Sequence, residues 1–103
     1  MDLNPDDDKN TFHHNARREL KALAWRCGLK EYDLRTNLGG LAVLGETTLH
    51  GATVYIQTTQ NMGMLIRSCK GRKDYTGGQN CFVPYHLDEV MVSWVKKLST
   101  QYV

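Results

Sequence analysis

The chain has 103 residues, 41% of them hydrophobic and 23% charged, with a formal net charge of +2. That is enough for one domain with a modest core, too little for two, and too apolar for a disordered chain. No apolar run reaches the roughly 18 residues of a membrane-spanning helix and the acidic start lacks the basic flank of a signal peptide, so a cytoplasmic protein with no membrane partner is expected.

Asp2, Asp6, Asp7 and Asp8 place four negative charges in the first eight residues, where no hydrophobic period is present. Residues 1–10 therefore read as an acidic disordered tail, and 11–103 as a single α+β domain. With those four aspartates set aside, residues 9–103 hold 13 Lys and Arg against 7 acids, a formal +6. A basic domain suits nucleic acid or an acidic protein patch, and equally a surface that is merely solubilising.

From an N-cap at Asn10 or Thr11, apolar residues recur at Phe12, Ala16, Leu20, Leu23 and Cys27, the stripe of an amphipathic helix that Gly28 ends. Arg17, Arg18, Lys21 and Arg26 lie off that stripe, and His14, Arg18, Lys21 and Trp25 align by steps of three and four. The neighbours His13 and His14 read as solvent-exposed, and Trp25 as a contact patch or dimer interface.

Glu31 to Asn37, Leu41 to Leu49, Ala52 to Thr59 and Met62 to Ser68 read as strands, with turn signals at Gly39-Gly40, His50-Gly51 and Gln60 to Gly63. Val54 and Ile56 alternate with Tyr55 and Gln57, which predicts one buried and one mixed sheet face. Asn80 to Val83 is a short returning strand. After Pro84, Asp88 is the expected N-cap of a last helix reaching about residue 100, with Leu87, Val90, Met91, Trp94, Val95 and Leu98 on its apolar face and Trp94 in the core. The expected fold is α+β: an N-terminal helix, an antiparallel meander of three to five strands and a C-terminal helix, both helices on one face of the sheet.

The order of helix, three or more strands and helix over residues 11 to 100 resembles that of a double-stranded-RNA-binding domain. Such domains carry a lysine cluster at the start of the final helix, where this chain has Asp88 and Glu89, so order alone is shared and membership is not claimed.

The segment from Arg67 to Cys81 carries the strongest functional signal, with Arg67, Lys70, Arg72 and Lys73 within seven residues and Gly71, Gly77 and Gly78 allowing close backbone approach. Tyr75 offers a stacking surface. Asp74 can pair with Arg72 or Lys73 to organise the loop, while Thr76, Gln79 and Asn80 supply directional polar contacts. No Gly-Lys-Ser/Thr closes the loop as in a phosphate-binding nucleotidase, and no Cys-x-x-Cys pair marks a zinc site, so neither cofactor nor metal is expected.

Cys27, Cys69 and Cys81 are an odd count that reads as free thiols. A cysteine enzyme would need Cys69 or Cys81 beside His50 or His86, with Cys69 activated by neighbouring cations; this is a minor alternative to a non-enzymatic protein.

Two functions stand close. In one, a nucleic-acid-binding domain uses the loop and the Arg17, Arg18 and Lys21 face of the first helix. In the other, a small regulator, inhibitor or adaptor of the general appearance of phage or mobile-element proteins docks the same loop on a protein. The sequence reading favours the protein partner, because Asp74, the acidic tail and the acidic start of the last helix interrupt a phosphate-binding stripe. A free sheet edge and Trp25 also allow a homodimer.

Overall fold

The computed structural model describes residues 1–39, 45–60, 63–71 and 74–101. The elements are α1 (Lys9–Arg26), β1 (Tyr32–Asn37), β2 (Glu46–Gly51), β3 (Val54–Thr59), β4 (Gly63–Ser68), β5 (Asn80–Val83) and α2 (Asp88–Ser99). The five strands form one antiparallel meander in chain order, as the α+β reading expects. Of the sequence-derived spans, Leu41 to Leu44 and the Asn61-Met62 turn lie outside the described residues.

Register divides the sheet into two sets of rows. Leu34, Leu49, Ile56, Ile66 and Cys81 stand opposite one another across the five strands, and Thr36, Thr47, Thr58, Met64 and Val83 form the next row of the same set. These rows face the core. Leu20, Leu23 and Ala24 of α1 and Met91, Val92, Val95 and Leu98 of α2 join Leu49, Val54, Ile56, Met64, Ile66 and Val83 in one buried cluster. Asp33, His50, Tyr55, Arg67 and Asn80, and then Arg35, Thr48, Gln57, Leu65 and Phe82, make the alternate rows. None of these belongs to the core cluster.

α1 begins a turn before the expected cap. Asp8, not Asn10 or Thr11, is the N-cap, and its Oδ1 accepts from the Thr11 N–H at 3.3 Å. At the other end Gly28 has φ +73°, and the bonds from Gly28 N–H to Trp25 O and from Leu29 N–H to Ala24 O close a Schellman motif. Of residues 1–10, read from sequence as an acidic disordered tail, Lys9 and Asn10 belong to α1, and Met1, Pro5 and Asp7 contact the fold. Buried Gln60 donates its amide hydrogens to the carbonyls of Pro5 and Asp7, and Met1 packs on the core with its ammonium donating to Tyr85 O at 2.7 Å. Satisfying that amide is what draws the acidic segment in.

Asp88 does not cap α2. Its carboxylate pairs with the Met1 ammonium, and Leu87 occupies the cap position without a side-chain bond. Val90 and Leu87, expected on the apolar face, stay about two-fifths exposed, while Val92 and Ser99, outside the expected stripe, are buried. Trp94 is half-buried at the core's edge with the Lys97 ammonium 4.8 Å from its ring centroid, which corrects its placement as a core residue. Gly51 is an ordinary strand residue without positive φ, whereas Gly39, in the other turn signal, has φ +61°.

His13 also differs from expectation. Burial of the first turn of α1 against β2 takes it to 1% exposure, where its Nδ1 lies 2.9 Å from Thr47 Oγ1, itself 3.1 Å from Thr36 Oγ1. This polar string stitches α1 to β1 and β2. Thr47→Val removes its centre while conserving volume, so it should cost about 1–3 kcal/mol, measured as a lowered urea midpoint with unchanged slope.

Candidate binding face of the sheet

The loop between β4 and β5 is built by its own backbone. Ser68 N–H donates to Gln79 O at 2.9 Å and Gln79 N–H donates to Ser68 Oγ at 2.7 Å, closing the loop's neck. Lys70 N–H then donates to Asp74 O and Asp74 N–H to Gly71 O, which makes a tight reversal, and Gly78 N–H returns to Tyr75 O. Gly78 is required at the neck, because a Cβ there would lie 2.4 Å from the Ser68 carbonyl oxygen.

Asp74 organises the loop as expected, though through Thr76: its Oδ1 accepts from the Thr76 N–H at 3.1 Å. Hydrogen bonds from Thr76 hold its carboxyl below the usual carboxylate range, with Lys70 adding a favourable charge. Arg72 and Lys73, the other proposed partners of Asp74, lie outside the described residues.

This path lays Tyr75 over the sheet. Its ring meets Tyr55 edge-on at 5.5 Å between centroids, Tyr55 meets His50 at 4.9 Å, and the Arg67 guanidinium carbon lies 4.5 Å from the Tyr75 centroid. Three rings and a guanidinium thus share one row of the second face. Phe82, one row along on β5, is 59% exposed beside Leu65.

A groove of about 540 Å³ runs next to this cluster, lined by Arg35, Thr36, Asn37, Glu46, Thr48, His50, Tyr55 and Tyr75. Within it the Tyr55 hydroxyl donates to Gln57 Oε1 at 3.2 Å, and Gln57 Nε2 donates to Glu46 Oε2 at 2.8 Å. Burial, followed by the Glu46 and Tyr75 charges, pushes the Tyr55 phenol up to about 12, so it remains a proton donor at neutral pH.

Of the residues singled out by sequence, Arg67 and Tyr75 are brought together, and Lys70, Asp74, Gln79 and Asn80 sit exposed along the same loop. Arg17, Arg18 and Lys21 are elsewhere. The Arg17 guanidinium reaches Thr36 Oγ1 at 3.5 Å, in a core-side row, while Arg18 and Lys21 stand exposed on α1 with Trp25, which is 83% exposed. The helix cations and the loop therefore do not form one stripe. Arg35, Glu46, Tyr55, Gln57 and Phe82 were not among the sequence-derived site residues, and His50 was considered only as a base beside a cysteine, because strand register, not proximity in sequence, assembles them. The Tyr55 and Gln57 alternation was the available signal.

Cys69 does not have the activated thiol considered for an enzyme: burial, and then Asp74, push its pKa up against the effect of Arg67. All three cysteines are free thiols. Among the described residues no three His, Cys, Asp or Glu side chains gather as metal ligands, and no helix is long and apolar enough to cross a membrane. No protein-family model, curated protein or solved structure matches the chain, so its chemistry is read from this geometry.

Two outcomes test the arrangement. Because the Tyr55 pKa is raised from its ordinary value of 10, its contribution to stability is present below pH 10 and lost as pH rises towards about 12. Phenol absorbance should show Tyr55 titrating late together with Tyr85, whose phenol burial raises further, and Glu46→Gln should move only the Tyr55 step earlier by removing a nearby negative charge. Gly78→Ala should cost about 1–3 kcal/mol in urea denaturation, since the neck must shift to admit the methyl group.

Proposed function

We propose that the protein is a non-enzymatic module that binds single-stranded nucleic acid on the second face of its sheet. The observation that carries this reading is the position of Tyr75, which the loop holds against Arg67 and Tyr55 with part of its ring still in solvent. Aromatic rings and guanidinium groups on an antiparallel sheet offer π-surfaces on which unpaired bases stack, whatever their sequence. Lys70 and Arg67, with Arg72 and Lys73 supplied by the loop sequence, provide charge for the phosphates of the same strand. Duplex binding fits less well, because the helix cations stand apart from the loop and α2 opens on Asp88 and Glu89, engaged with Met1 and Arg26.

A protein partner is the second reading, favoured by the carboxylates of Asp33, Glu46 and Asp74 around the same surface, where a polyanion is repelled. Tyrosine, arginine and phenylalanine are also the residues that anchor protein interfaces.

Titration against single- and double-stranded DNA and RNA at several salt concentrations separates the two. The single strands should bind with strong salt dependence, and Tyr75→Ala should weaken them about 5- to 150-fold, the equivalent of ~1–3 kcal/mol for one stacked base. Replacing Lys70, Arg72 and Lys73 together by Ala should flatten the logarithmic salt slope by about 2, at roughly 0.7 per phosphate contact. Failure to bind any oligonucleotide at low salt would sink the nucleic-acid reading and leave the protein partner. Equal damage from Arg17→Ala, Arg18→Ala and Lys21→Ala would move the site to the helix.

A further inference from the structure

A carboxylate is a costly neighbour for a polyanion, yet the groove holds one in a defined orientation. Tyr55 donates to Gln57, which fixes the amide so that its nitrogen donates to Glu46 Oε2. A flipped amide would set its oxygen against the Glu46 carboxylate, so Gln57 and Glu46 hold one another in a chain that starts in the aromatic row. Arg35 lines the same groove and offsets the carboxylate's charge where a phosphate-bearing ligand must approach. At about 540 Å³ the groove falls within the ~300–1,000 Å³ of small-ligand clefts.

We infer that this groove reads an unpaired guanine, with Glu46 accepting from the base's N1–H and N2 amino group. The inference rests on the single-strand reading above. A carboxylate presents two adjacent acceptors, and guanine alone among the four common bases presents two adjacent donors on its Watson–Crick edge. Cytosine and adenine place a ring acceptor beside the amino group, and uracil or thymine flanks its single N–H with carbonyls, so each of these sets a lone pair against the carboxylate. Gln57 and Tyr55 act as positioning residues that hold Glu46 to the base. The carboxylate, unfavourable towards phosphate, thus becomes a source of discrimination.

The test uses the full chain and labelled uridine-rich octamers carrying one central guanine, inosine, adenine or cytosine, followed by fluorescence anisotropy. The guanine octamer should bind about tenfold more tightly than the inosine one, which lacks only the N2 amino group, and tighter still than the adenine and cytosine ones. Glu46→Gln should level the four affinities while keeping the Tyr75-dependent binding, and Gln57→Ala should reduce the guanine preference part of the way. The inosine comparison needs no variant and so does not depend on how the variants fold. Four equal affinities in the unaltered protein, with Tyr75→Ala still weakening all of them, would overturn guanine recognition and leave single-strand binding standing. Retention of the preference in Glu46→Gln would overturn the role of Glu46. If no octamer binds, both readings fall together.

Discussion

The cross-strand pairing of Leu49 with Ile56 and of Ile56 with Ile66 holds the rest of the molecule in place. A slip of one residue in β3 would turn Val54, Ile56 and Thr58 towards the second face and bury Tyr55 and Gln57. Burial of the aliphatic row fixes the register, because each of these side chains loses roughly 1.5–3 kcal/mol of transfer free energy if exposed. The chemistry on the second face is therefore specified by the apolar residues behind it. Tyr55 can meet His50 and Tyr75 only while Ile56 meets Leu49 and Ile66.

The loop from Cys69 to Gln79 adds to that face what the strands lack. Its neck is fixed by reciprocal bonds between Ser68 and Gln79, and its reversal by Asp74 and Thr76. None of these bonds uses a cationic side chain. Among the described residues, polar and glycine residues set the loop's path through these bonds. Tyr75 is the point where the path meets the sheet, which ties the loop's local hydrogen bonding to the binding surface.

Mixed charge distinguishes this surface from a uniformly basic one: Glu46, held by Gln57, lines the same groove as Arg35 and His50. In the proposed function this carboxylate would disfavour ligands that cannot donate to it. Of the α1 cations, Arg17 reaches Thr36 at the groove's margin, while Arg18 and Lys21 stand exposed on the helix.

Much of the architecture was legible in the residues: the alternation from Val54 to Thr59, the Gly28 stop, the apolar period of α2 and the returning strand Asn80 to Val83 are local patterns with local causes. The meeting of Arg67 with Tyr75 lies within one short loop segment that sequence had already singled out. The docking of residues 1–8, the burial of His13, the separation of Arg17, Arg18 and Lys21 from the loop, and the joining of Glu46 to Gln57 and Tyr55 were not legible. Each depends on which strands lie side by side and which residues stand opposite. The sequence by itself determined the apolar periods and the Gly28 stop, since these arise from interactions within a few residues, whereas both helix starts were reset by distant contacts at Gln60 and Met1. Only the tertiary structure decided which polar side chains share a surface, because the packing that sets strand register acts between residues far apart in the chain.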